Sequence, residues 1–67
     1  MAKDAIHFLY RMYIVVKILI VDDHELVRTG LRLILEEVPE FEVVGEAKSG
    51  EDGLRFCRKD APDVVLM

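Results

Sequence analysis

The chain has 67 residues and a formal net charge of −4, with nine basic side chains against thirteen acidic ones. That length allows one small domain, whose core supplies no more than about 3–5 kcal/mol without staples. The lone cysteine, Cys57, rules out an internal disulfide and suits a reducing, cytoplasmic setting. The acidic balance gives no footprint for direct nucleic-acid binding.

The charge is uneven along the chain. Residues 1–21 hold Lys3, Arg11 and Lys17 against Asp4, whereas residues 22–67 hold six bases against twelve acids. The front is apolar, but His7, Arg11 and Lys17 interrupt residues 5–21. A membrane span needs about 20 predominantly apolar residues, and a signal peptide needs a small-residue cleavage site that does not follow here. No membrane partner is therefore expected. Residues 1–13 read as an amino-terminal extension with a faint helical spacing at Ala5, Ile6, Leu9 and Met12, and Met12 is an alternative start.

The first strand is expected over about 14–21. Its core, Ile18-Leu19-Ile20-Val21, is apolar on both sides of the pleat, which is the pattern of a central parallel strand. It ends abruptly in Asp22 and Asp23. A helix is expected over 25–37, with Leu26, Val27, Gly30, Leu31, Ile34, Leu35 and Val38 on one stripe. Glu25, Arg28, Thr29, Arg32 and Glu36 should cover its outer face. Asp23 is the expected N-cap, and Pro39 ends the helix.

A second strand is expected over Glu42-Val43-Val44-Gly45-Glu46-Ala47. Ser49 then caps a second helix over about 50–59, with Asp52 three residues on as in a capping box. Leu54, Cys57 and Ala61 form its apolar stripe, with Phe56 to one side. Pro62 stops the helix, and a third strand starts over 63–67. The order β-α-β-α-β implies a parallel sheet with right-handed crossovers.

Adjacent carboxylates raise each other's proton affinity unless a cation or a base relieves them. Asp22 and Asp23 stand at the carboxyl end of a buried strand, where open α/β sheets bind ligands. Mg²⁺ is commonly held by one or two carboxylates with waters and phosphate oxygens. Spacing alone leaves an equal alternative, in which Asp23 caps the helix and Asp22 is a solvated loop residue. His24 reads as an exposed first-turn residue, and Cys57 as small core filling. No phosphate-binding glycine loop follows the first strand, which argues against nucleotide binding. No hydrolytic Ser/His/Asp or Cys/His set can be assembled.

The run Ile18-Leu19-Ile20-Val21-Asp22-Asp23-His24-Glu25-Leu26-Val27-Arg28-Thr29-Gly30-Leu31 closely resembles the start of a two-component response-regulator receiver domain. Val43-Val44-Gly45-Glu46-Ala47, Ser49-Gly50-Glu51-Asp52 and Pro62-Asp63-Val64-Val65-Leu66-Met67 match in the same order and spacing. His24 and the Val-Gly-Glu-Ala strand look like the NarL/FixJ subfamily, and within it the GacA/UvrY/LetA type of global regulator. The resemblance implies a flavodoxin-like, doubly wound α/β sheet, here its amino-terminal half over residues 14–67. It further implies Mg²⁺ at Asp22 and Asp23, a sensor histidine kinase as the parent's partner, and transcription control by the parent through an output domain.

In that family an aspartate at the end of the third strand takes the phosphoryl group, and by resemblance it would directly follow Met67. Asp63 cannot replace it, because it lies five residues earlier, about 16 Å at roughly 3.3 Å per residue. The terminal carboxylate of Met67 could complete only a weak cation site. The chain itself is therefore expected to be neither an enzyme nor a phosphoacceptor at the usual place. Its third strand should be a raw edge of Val64, Val65 and Leu66, open to self-association. Two alternatives remain: a non-catalytic module that pairs through this edge, and, weakly, a Mg²⁺-dependent phosphohydrolase of the haloacid dehalogenase type. The latter family wants an Asp where His24 stands.

Overall fold

The structure is a computed structural model that describes residues 15–67. The extension expected over 1–13, and Ile14 at the expected start of the first strand, lie outside the described residues.

Strand β1 spans Val16–Val21, helix α1 Glu25–Leu35, strand β2 Phe41–Ala47, helix α2 Gly50–Lys59 and strand β3 Val64–Leu66. The strands form one parallel sheet in the order β2-β1-β3. The chain thus steps from β1 to one neighbour and then crosses back over β1 to the other. With right-handed crossovers, that reversal puts the two helices on opposite faces. It also creates a switch point at the carboxyl end of β1, the place where open α/β sheets hold their ligands.

The centre of the sheet is dry. Leu19 and Ile20 are fully buried, and Ile18, Val21 and Ala47 nearly so. Each of the leucine, isoleucine and valine side chains contributes about 1.5–3 kcal/mol of transfer free energy. Because residues alternate across a strand, Leu19 and Val21 face one helix and Ile18 and Ile20 the other. Leu19, Val21 and Ala47 pack with Phe56 and Cys57 of α2. Two glycines permit this approach. A Cβ at Gly45 would lie 2.4 Å from the Phe56 ring, and one at Gly53 would lie 2.9 Å from Val21. The register slips between Ile18 and Leu19, whose partners are Val43 and Gly45, so Val44 is the extra residue of a bulge. The slip sets Gly45 beside Leu19, beneath the Phe56 ring.

Several expectations hold, and some need correction. Helix α2 has the bounds read from sequence, and the Ser49 side chain accepts the Asp52 N–H at 3.2 Å. Phe56, expected to one side, packs on the core, whereas Leu54 of the expected stripe is exposed. Helix α1 ends at Leu35, before the expected 37. Glu37 and Val38 donate to the carbonyls of Ile34 and Leu35, tightening the last turn ahead of Pro39, which disfavours a helical residue before it.

The larger correction concerns which way α1 faces. Leu26 is 84% exposed and Ile34 68%, and Val27 is also exposed, although all three belong to the expected inner stripe. Arg28, expected outside, is 7% exposed. The helix turns its Arg28 edge to the sheet, where Glu46 of β2 pairs with it, and of the stripe Gly30, Leu31, Leu35 and Val38 stay partly buried.

Strand β3 enters beside the start of β1. Asp63 donates its N–H to the Lys17 carbonyl at 2.8 Å, and its carboxylate accepts the Lys17 N–H at 2.8 Å. These two bonds hold the amino end of β3 against Lys17. Val64 and Val65 are partly exposed, and among the described residues β3 pairs with β1 alone.

Candidate metal centre

β1 delivers its last buried residue, Val21, and then turns. The Asp22 N–H still donates to the Ala47 carbonyl at 3.0 Å, extending the ladder by one bond. The Asp22 carboxylate then folds forward, and its Oδ1 accepts the His24 N–H at 2.7 Å. This is the local Asp turn that competes with helix and strand alike. It moves the cap of α1 one residue beyond the expected position. His24, extended at φ −100° and ψ 114°, is the N-cap, and no side chain caps the helix. Asp23 is therefore not the cap, and the capping alternative is set aside.

The three side chains converge. His24 Nδ1 lies 3.0 Å from Asp22 Oδ1 and 2.8 Å from Asp23 Oδ1. One donor atom from each of Asp22, Asp23 and His24 falls within 4.8 Å of the others. Asp23 and His24 are exposed, as expected for His24, and Asp22 is half-buried. Among the described residues no lysine or arginine pairs with either carboxylate. Two oxygen donors without a permanent basic partner, at the end of a central strand, match what a hard cation such as Mg²⁺ needs.

The hydrogen bond from the His24 N–H, followed by the His24 ring, holds the Asp22 carboxyl below its ordinary value of 3.8. A lowered carboxylate stabilises the fold above its unfolded pKa. That contribution is lost as pH falls through the folded value.

Two residues of the site were not singled out from sequence. Arg28 donates through Nη1 to the Asp22 main-chain carbonyl at 2.6 Å and through Nε to Glu46 Oε1 at 3.2 Å. Arg32 pairs with the other oxygen of Glu46. A signal for them exists: a carboxylate amid the apolar residues of β2, and two arginines four apart on α1.

A family model, the response regulator receiver domain, matches residues 18–67. The chain belongs to the response regulator receiver domain family. Members of this family typically bind Mg²⁺ and work with sensor histidine kinases, and they are generally not catalytic enzymes. The family found is not that of the haloacid dehalogenases.

The chain is 58% identical over 52 residues to the response regulator UvrY of Escherichia coli, a match that covers 78% of this chain and 24% of UvrY. It is 52% identical over 52 residues to the response regulator GacA of Pseudomonas aeruginosa, covering 78% of this chain and 24% of GacA. It is 48% identical over 52 residues to the transcriptional regulatory protein LiaR of Bacillus subtilis, with 78% and 25% covered. The chain thus spans about a quarter of the length of these curated relatives. No solved structure gives a significant match. Among the described residues no helix is long and apolar enough to cross a membrane.

Proposed function

We propose that residues 14–67 are the amino-terminal half of the receiver of a two-component response regulator, preceded by an extension over 1–13, and that Asp22 and Asp23 hold its Mg²⁺. The observation that carries this reading is the family match over residues 18–67 combined with the acid pair at the carboxyl end of the central strand. The register supports it. Ile20 faces Leu66, so the position after Met67 continues in line beside Asp22. A phosphoacceptor there would stand next to the acid pair.

When bound, the cation would neutralise charge on a transferring phosphoryl group. This chain's residues bind and orient: Asp22 and Asp23 offer oxygens, and the buried central strand holds them at the carboxyl end of the sheet. The parent would be a cytoplasmic protein that takes phosphate from a sensor histidine kinase and controls transcription. The 67-residue chain by itself is neither an enzyme nor a DNA binder.

Calorimetric titration of the chain with Mg²⁺ is expected to give weak heat that vanishes in Asp23→Ala. Absence of heat in the wild type would end the metal assignment. Incubation with a phosphorylated kinase or small phosphodonors is expected to leave the chain unlabelled, and labelling at any residue would contradict the proposal.

The exposed edge of β3 favours a second reading, pairing with another chain. Val64, Val65 and Met67 are open to solvent there. Self-association should make thermal unfolding depend on protein concentration. A sharp, reversible melt of a monomer at every concentration would argue against it.

A further inference from the structure

We infer that Arg28 is a positioning residue, whose guanidinium, anchored by Glu46, holds the Asp22 carbonyl and thereby sets the turn that presents the Asp22 and Asp23 carboxylates. The inference rests on the proposed metal reading for its consequence, but not for its geometry.

Arg28 is the one buried charged residue among those described. A buried cation is tolerated only when paired and fully hydrogen-bonded. Arg28 is paired with Glu46 on β2 and bonded to the main chain just beyond β1. Nη1 reaches the Asp22 carbonyl at the end of β1, and Nε reaches Glu46 on β2. The rigid fork of a guanidinium suits this double task, where a lysine offers a single ammonium.

The bond to Asp22 falls on its main chain, not on its carboxylate. Arg28 therefore leaves the carboxylate oxygens available to a cation while fixing the peptide from which they project. The start of α1 needs such a tie, because no side chain caps it. Glu46 is held from the other side by Arg32, so the anchor is itself fixed.

Position and charge predict opposite signs. If Arg28 acted only as a positive charge near the acid pair, removing it would tighten cation binding. If it positions the turn, removing it weakens binding. The test compares Arg28→Met, Arg28→Lys and Arg32→Met in the full chain. In the metal-free protein, amide hydrogen exchange at residues 22–24 is measured relative to Leu19 and Ile20. Arg28→Met is expected to speed exchange at 22–24 by about tenfold relative to those core amides. Arg32→Met, which spares the Asp22 carbonyl bond, should change it by no more than about twofold. Arg28→Lys, which keeps the charge but not the fork, should fall between wild type and Arg28→Met, and it serves as the test if the methionine variant does not fold.

In the second arm, Mn²⁺ is the probe, and Arg28→Met is expected to bind it about tenfold more weakly than wild type. Uniform acceleration of all amides, an Arg28→Lys profile identical to wild type, or unchanged or tighter Mn²⁺ binding in Arg28→Met would overturn the inference. If the wild type binds no Mn²⁺, the metal reading fails, and the exchange arm still decides the role of Arg28.

Discussion

On one face of the sheet, α2 lays Phe56 and Cys57 on Leu19, Val21 and Ala47. On the other, α1 brings Arg28 to Glu46 and to the carbonyl of Asp22, and leaves Leu26 and Ile34 in solvent. The first contact is apolar and close, made at glycines where there is no room for a methyl group. The second adds an ion pair beside the buried Ile18 and Ile20 and reaches the turn that carries the acid pair. The two helices thus have separate tasks: α2 holds the sheet, and α1 also reaches the turn at Asp22.

That contrast can be broken. Glu46→Ala leaves Arg28 buried without its carboxylate and is expected to cost about 3 kcal/mol. For a domain of this size such a loss approaches the whole stability, so chemical denaturation should show a chain largely unfolded without denaturant. A loss below about 1 kcal/mol would mean that the ionic face carries little. Gly45→Ala forces a methyl group against the Phe56 ring and is expected to cost about 2 kcal/mol. A neutral result would show that the ring yields and that the apolar face is loosely packed.

Smaller changes sharpen the picture. Ser49→Ala removes the acceptor for the Asp52 N–H and should cost about 1 kcal/mol in the same measurement. Leu26→Ala should shift stability by less than about 0.5 kcal/mol, because Leu26 is exposed. A larger loss at Leu26 would reveal a covering element outside the described residues, and the comparison of the faces would have to be redrawn.

Much of the apolar face was legible in the residues. The run Ile18-Leu19-Ile20-Val21 announces a strand buried on both sides. Ser49, Asp52 and Pro62 bound α2 by chemistry that acts within one turn. Helical spacing sets Phe56 beside the stripe, whereas the absence of a Cβ at Gly45 on β2 leaves room for the ring on the core. The face of α1 is rotated from the expected one for a similar reason, a partner on another element. Periodicity identifies an apolar stripe, but not which part of it a neighbour covers.

The order of elements, the parallel sheet and the place of Asp22 and Asp23 can be read from the residues alone, because strand pattern, capping and proline act locally and right-handed crossovers leave few topologies. The burial of Arg28 between Glu46 and the Asp22 carbonyl is visible only in the folded chain. Those contacts join residues 18 apart and six apart in the chain. Their geometry depends on how α1 is rotated against β2, which no local rule specifies.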